Sequence, residues 1–460
     1  MYKNKLQLPL SHDVDVKKVM DMIHYMEFRR EIWTKGAPPM SIGYACLNIG
    51  TPNTNIRSVM QRNATPEKLT EVIAHNLAAL ERMIDYNRKN GIKLFRISSD
   101  LIPFGSSPFN ALAWPEIHKE AFDRIGAKIR KAGIRVSLHP GQYTVLNSPT
   151  EDVVARASED LIYHDKILTA LGTDQTNKIV LHVGGIYGDK KEALQRFEQN
   201  FRRLPEAIRN RLIIENDDRL YNIEEVLGLA HRLQIPVVYD NLHHAINPTP
   251  SGGTDPYWIA EAKKTWKAVD GNQKIHYSQQ APGKRPGAHT DTIDLETFLT
   301  FHEQLENKQI DIMLEVKDKN LSAIKCQNAT TTAPKSVLLE KEWGCYKYAV
   351  LERSPAVYQT IRTLLKDKEA YPVQEFYRLI ETAFAKEPHP GYVENAAAHV
   401  WGYFKKHATE AERKQYEKNL VNYRNGNGTR ATLKRYLFRL VKKYESKYLL
   451  QSLYFYLVGI

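Results

Sequence analysis

The chain is short of cysteine. Cys46, Cys326 and Cys345 are its only three in 460 residues, too few and too scattered for a disulfide framework or a paired-cysteine zinc site. Long apolar runs are missing too: nothing approaches the roughly 20 residues a membrane-spanning helix needs. The opening MYKNKLQLPLSHDVDVKKVM has no apolar core and small-residue cleavage site of the kind a secretory leader carries. A reduced, cytoplasmic protein with no membrane partner is expected. No G-x-G-x-x-G follows the first strand-like run, which argues against a doubly wound open sheet.

Acidic residues are outnumbered, 53 against 65 Lys and Arg, for a net charge of +12. Residues 338–460 alone hold 21 basic and 13 acidic side chains, so +8 of the excess lies there. A basic balance favours a polyanionic partner. With 42% hydrophobic and 26% charged residues, the composition is globular and excludes a mostly disordered chain.

Four segments can be marked out. Residues 1–39 read as an N-terminal extension with one helix over 16–33, broken by GAPPM (36–40). Residues 40–320 alternate strand-like and helix-like stretches. The strand candidates are SIGYACL (41–47), IKLFRISS (92–99), IRVSLH (134–139), KIVLHV (178–183), RLIIEN (211–216), PVVYDN (236–241), KIHYSQ (274–279) and IDIMLEV (310–316). Eight repeats over this length predict an α/β fold, a (β/α)8 TIM barrel. Residues 321–336, with their Thr and Pro, read as a polar linker. Residues 337–460 show no strand alternation, carry 14 of the 25 tyrosines, and predict an α-helical accessory domain.

Metal-capable side chains sit at the strand ends: His139, His182, Glu215, Asp240 with His243, His276 with His289 in the following loop, and Glu315. A barrel gathers those ends around one mouth. Crowded carboxylates and imidazoles are costly to bury without cations. Mixed His, Asp and Glu donors suit Zn²⁺ or Mn²⁺ better than Ca²⁺, and one carboxylate shared among histidines points to two or more ions, as in phosphoryl-ester hydrolysis. His75, His118, His164, His231 and His302 fall in helix-like stretches, where surface or packing roles are expected, and His244 competes with His243.

The motifs GYACLN (43–48), RISSDLIPF (96–104), LHPGQYTVLNSP (138–149), LHVGG (181–185), IEND (214–217), YDNLHH (239–244), KIHYS (274–278), HTD (289–291) and MLEVKDK (313–319) resemble the ultraviolet damage endonucleases. The resemblance implies a barrel of the xylose isomerase and endonuclease IV superfamily. It implies nicking of double-stranded DNA immediately 5′ of ultraviolet photoproducts, with some activity at abasic sites. It makes His139, His182, Glu215, Asp240, His243, His276, His289 and Glu315 the metal ligands, with Glu215 bridging. It sets Lys274 beside the metals, open to carbamate formation, so Glu215 and Lys274 are the expected catalytic residues. Two or three Mn²⁺ ions are expected, with Zn²⁺, Mg²⁺ or Co²⁺ as alternatives. It assigns Gln142 and Tyr143 as the pair that probes the base stack, and Tyr44 and Asn48 as lining the lesion pocket.

GCYKYAVLERSPAVY (344–358), ENAAAHVWGYFKK (394–406) and YESKYLLQSLYF (444–455) resemble a bacterial domain of unknown function, although the chain lacks that domain's Pro-Tyr-Pro ending. Aromatics among basic residues make DNA or a protein partner its expected contact, against the plainer reading of tyrosines as core. A monomer is the default. Three alternatives stand beside the main reading: an abasic-site endonuclease of the endonuclease IV type, a metal-dependent sugar isomerase on the same barrel, and a damage-binding scaffold.

Overall fold

Each strand expected from the sequence is present, shorter than its apolar run. They are β1 Ile42–Ala45, β2 Leu94–Arg96, β3 Arg135–Ser137, β4 Ile179–His182, β5 Leu212–Glu215, β6 Val237–Asp240, β7 Lys274–Tyr277 and β8 Asp311–Leu314. The computed structural model describes residues 40–457, so the extension helix expected over 16–33 lies outside the described residues. The strands run parallel in the order β3-β2-β1-β8-β7-β6-β5-β4. A single bridge, Leu138 to Ile179, joins the two ends; the Leu138 amide donates to the Lys178 carbonyl at 3.0 Å and Val180 donates back to Leu138 at 2.9 Å. The sheet therefore closes into a barrel.

A helix follows every strand: α1 Pro66–Asn90, α2 Lys119–Ala132, α3 Glu151–Ala170, α4 Lys190–Arg203, α5 Ile223–Leu233, α6 Asp255–Lys263, α7 Leu295–Gln304 and α8 Asn320–Ala329. Local chemistry sets their ends. Thr65 caps the Lys68 amide with Pro66 at the first helical position, and Gly91, at φ +69°, closes α1. Asn222 and Glu225 form a reciprocal capping box on α5. The buried face of α2 is Phe122, Ile125, Ile129 and Ala132, a helical spacing aimed at the sheet.

Strand alternation sorts side chains into barrel lumen and helix-facing layer. Arg135, Lys178, Lys274 and Asp311 stand at the strand starts, with Lys274 paired in register with Asp311. Val180, Ile213 and Val238 pack as one apolar cluster, and Ala45, Leu94 and Met313 as another. His182 pairs in register with Glu215, and Asp240 with His276, near the strand ends. The lumen thus runs from a charged floor through an apolar belt to a polar mouth. Gly43 is required where β1 meets β2, since a Cβ there would lie 2.1 Å from the Leu94 carbonyl oxygen.

Residues 321–336 are not a linker. Most of that stretch belongs to α8, whose Leu321, Ser322, Ala323, Ile324, Lys325, Cys326 and Asn328 are buried. The reason is cover on both sides. The Asn320 amide nitrogen donates to the Ile49 carbonyl at 2.9 Å and to the Tyr86 hydroxyl at 2.9 Å, within the barrel. Asn328 donates to the Tyr377 hydroxyl at 2.9 Å, and Lys325 to Glu381 at 2.7 Å, both beyond it. A helix sandwiched this way carries polar residues on buried faces, so its sequence mimics a loop.

Six further helices follow: α9 Ser336–Leu351, α10 Pro355–Leu364, α11 Val373–Phe384, α12 Pro390–Trp401, α13 Glu410–Arg424 and α14 Arg430–Lys443. Leu339, Tyr346, Val350, Phe376 and Ile380 join the barrel's apolar core, while Ala397, Val400, Tyr416, Leu437 and Leu440 form a second one. Six of the 14 tyrosines here, Tyr346, Tyr348, Tyr377, Tyr416, Tyr436 and Tyr454, are buried packing residues, while Tyr392, Tyr403 and Tyr448 are exposed.

Candidate metal centre

The mouth is organised around Glu215. Its Oε2 lies 3.0 Å from His139 Nε2 and 3.8 Å from His182 Nε2, and its Oε1 lies 2.8 Å from His276 Nδ1. Potential donor atoms of His139, His182 and Glu215 lie within 4.8 Å of one another, as do those of Glu215, Asp240 and His276. Glu215 belongs to both triads, which is what a bridging ligand requires. His243 Nδ1 stands 3.7 Å from Glu215 and 3.8 Å from Asp240. Glu315 approaches His276 Nδ1 at 3.3 Å and His289 Nδ1 at 4.0 Å. All eight expected metal-capable residues therefore face one mouth.

The donor set fits divalent ions. Asp240 Oδ2 and His182 Nδ1 are buried without a hydrogen-bond partner, and such orphans are rare unless an ion or water completes them. Burial pulls the His182 imidazole down to about 4, so it is neutral and ready to coordinate. Burial penalises a charged His243, but Asp240 and Glu215 outweigh that and push it up to about 9. Burial also raises the Asp240 carboxyl, only partly offset by His243. For Glu215, burial is overcome by His276, His139 and His182, which hold its carboxyl well below the usual range. These opposed shifts show how closely the anions and imidazoles of the mouth are coupled.

Arg96 was not singled out in the sequence. It is inward-facing on β2, and its guanidinium bonds Glu315 Oε1. Burial weakens the Glu315 anion, but Arg96 and His276 outweigh it and drive the carboxyl below its ordinary value. An arginine within a strand reads as solvent-facing; only closure of the barrel turns it inward. A second missed group holds the loop after β3. The Ser99 hydroxyl donates to the His139 carbonyl at 2.8 Å and meets His164 Nε2 at 3.0 Å. Thr144 donates to Asp160 at 2.6 Å. His164 and Asp160 both lie on α3 and are buried, so the expectation of a packing role for His164 understates it.

The remaining expected residues divide. Gln142 is exposed, and Tyr143 is 74% exposed at the rim. Asn48 is half-buried, with its amide nitrogen 3.0 Å from the Tyr44 hydroxyl. Tyr44 departs from the expected pocket-lining position. It is fully buried, its hydroxyl donates to Asn87 at 2.8 Å, and its ring packs 5.1 Å from Phe95. Ala45 faces the lumen, so its neighbour Tyr44 must face α1. It holds Asn48 and does not line the mouth. His244 is settled likewise: its ring packs near Tyr239 and Trp258, leaving the mouth to His243. Lys274 is fully buried, one alternation below His276, and its amine has no hydrogen-bond partner. Burial and the nearby Arg135 bring its pKa well below that of an ordinary lysine.

A closed parallel barrel with its His–carboxylate cluster at the C-terminal strand ends defines a class: (β/α)8 enzymes that work at that face. The UV-endonuclease UvdE family profile matches residues 40–332, and that of a protein of unknown function, DUF1722, matches residues 347–457. A UV DNA damage endonuclease of Clostridium perfringens (strain 13 / Type A) is 39% identical over 74% of this chain and 82% of its own. One of Bacillus velezensis is 33% identical over 58% of this chain and 83% of its own. The crystal structure of SacUVDE superposes with a TM-score of 0.58 at 38% identity, covering 62% of this chain and 96% of that one. The chain belongs to the UV-endonuclease UvdE family. It is an enzyme, a nuclease, which sets aside the isomerase and scaffold readings. No helix among the described residues is long and apolar enough to cross a membrane.

Proposed function

We propose that this enzyme nicks duplex DNA immediately 5′ of ultraviolet photoproducts, with secondary activity at abasic sites, leaving a 3′-hydroxyl and a 5′-phosphate. The observation that carries the reading is the pair of triads sharing Glu215 at the barrel mouth of a UvdE-family chain. His139, His182, Glu215, Asp240, His243, His276, His289 and Glu315 would hold two or three divalent ions, Mn²⁺ first among the candidates. When bound, such ions supply Lewis acidity and a water activated near neutral pH.

The chain's own residues do the rest. Glu215 keeps its charge, because three histidines surround it. Arg96 fixes Glu315 and holds it ionised. Lys274 lies fully buried under the mouth with no hydrogen-bond partner for its amine, and burial favours its neutral form; that setting suits carbamate formation, which would give the floor a further anion. Damaged bases stack poorly and are cheaper to extrude. Tyr143 would fill the gap with Gln142 beside it; its exposure on the loop that Thr144 and Asp160 anchor supports that role.

The test is incision of end-labelled duplexes containing one thymine photodimer, one abasic site or no lesion, with Mn²⁺. Cleavage just 5′ of the dimer, abolished by chelator, is expected. Cleavage at the abasic site alone would move the chain to the endonuclease IV type of activity, and no cleavage would overturn the reading.

A further inference from the structure

The helical segment holds a second buried polar centre, 352–354 being the Glu-Arg-Ser of the GCYKYAVLERSPAVY motif. Glu352 is fully buried, and its Oε1 accepts from Arg353 Nη1 at 2.9 Å and from Lys434 Nζ at 2.6 Å, with Arg430 Nη1 at 3.5 Å. The Lys434 ammonium also stands 4.0 Å from the centre of the Tyr454 ring. Three cations thus share one carboxylate oxygen. Glu394 is committed to Arg424 at 2.7 Å, and Glu387, the other carboxylate that Arg353 senses, is exposed.

The same centre is short of partners. Glu352 Oε2, Arg353 Nε, Arg430 Nη1 and the hydroxyls of Tyr416 and Tyr454 are buried with no hydrogen bond. Among the other described side chains beyond residue 336, the Ser452 hydroxyl alone is in that state. The Tyr454 hydroxyl senses the charges of Glu352, Arg430 and Tyr416, so these groups share one environment. Arg430, its side chain 21% exposed, is the link to solvent. It begins α14, directly after the glycine-bearing loop 425–429, where the helix dipole favours an anion.

Three cations around one buried carboxylate leave an excess of two positive charges, two of the three cations themselves buried, which is unfavourable unless an anion compensates it. The unpartnered atoms say what kind. Arg353, Arg430 and the hydroxyls offer hydrogens, so the ligand needs several acceptor oxygens. Glu352 Oε2 offers only lone pairs, so the ligand also needs one hydrogen to give. Sulfate and chloride lack that hydrogen. We propose that Glu352, Arg353, Arg430, Lys434, Tyr416 and Tyr454 form a binding site for a protonated phosphate group, as inorganic phosphate or a phosphomonoester. The site stands apart from the barrel mouth and does not depend on the incision chemistry.

The experiment is calorimetric titration of the full-length, metal-free chain near pH 6.5 with inorganic phosphate, glycerol 3-phosphate, sulfate and chloride at matched ionic strength. Saturable heat with one of the two phosphates and much weaker heat with sulfate and chloride is expected; the stronger phosphate names the source. Arg430→Gln should weaken binding about tenfold, roughly the effect of losing one charged hydrogen bond. Tyr454→Phe removes a hydroxyl that has no partner within the protein. It should therefore leave the unliganded melting temperature unchanged while weakening phosphate binding severalfold. Absence of saturable binding, equal heats for all four anions, or unaltered binding in both variants would overturn the proposal and leave a hydrated ion-pair knot.

Discussion

Glu215 and His276 meet across β5 and β7, Oε1 to Nδ1 at 2.8 Å, and both are 1% exposed. Neither is adjacent to the other in the sheet, since β6 lies between them. The contact exists because both project into the lumen at the same height. Glu215→Gln keeps the shape and removes the charge. Incision is expected to fall by on the order of 10³-fold or more, while binding of damaged duplex persists. A gel-shift run beside the nicking assay checks both, and retained nicking would remove Glu215 from its bridging role.

Arg96→Met would leave Glu315 buried beside His276 with no guanidinium. Its carboxyl would take up a proton more readily and coordinate less well. Affinity for Mn²⁺ should fall by about 10–100-fold, the usual cost of losing a group that orients a metal ligand. Arg96→Lys should recover part of it. Titration of metal-free protein with Mn²⁺ measures this directly, and an unchanged dissociation constant would show that Arg96 only packs.

Tyr143→Ala removes an exposed ring and touches no expected ligand. Preference for dimer-containing over intact duplex should drop about tenfold, within the roughly 1–3 kcal/mol that one stacked aromatic supplies. Mn²⁺ affinity should not move. Competition incision with mixed substrates is the measurement, and an unaltered preference would assign the wedge elsewhere.

Burial holds the Lys434 ammonium down to about 8 against an ordinary 10.5, despite the pull of Glu352. The unfolded chain therefore binds the extra proton between those values and the folded chain does not. Stability from this group is lowest below about pH 8 and rises as pH climbs towards 10.5. Lys434→Met abolishes that dependence. In denaturant titrations the wild type should gain on the variant from pH 7.5 to 9.5, and parallel curves would refute the shift.

Much of this is legible in the sequence. The barrel strands are short apolar runs because parallel strands are covered on both sides, and their polar last residues stand out against that background. His139, His182, Glu215, Asp240 and His276 were visible for this reason. What stayed hidden depended on direction. Alternation says that Tyr44 and Ala45 face opposite ways, but only the register of β1 against β8 says which one faces the lumen. Arg96 and the floor residues Arg135 and Lys178 are charged at positions that a sequence reading leaves to solvent. The helix α8 was missed because its signal is an apolar stripe, and a helix enclosed on every side has none.

That enclosure ties the fates of the two family segments. The barrel's last helix is walled on its outer side by the helical segment, through Asn328 with Tyr377 and Lys325 with Glu381. Melting either part exposes the flank of the other, so heat should unfold the chain in one cooperative transition, not two. A nuclease cut off at residue 332, where its family match ends, would expose a face that full-length protein never shows to water, and would be prone to aggregate.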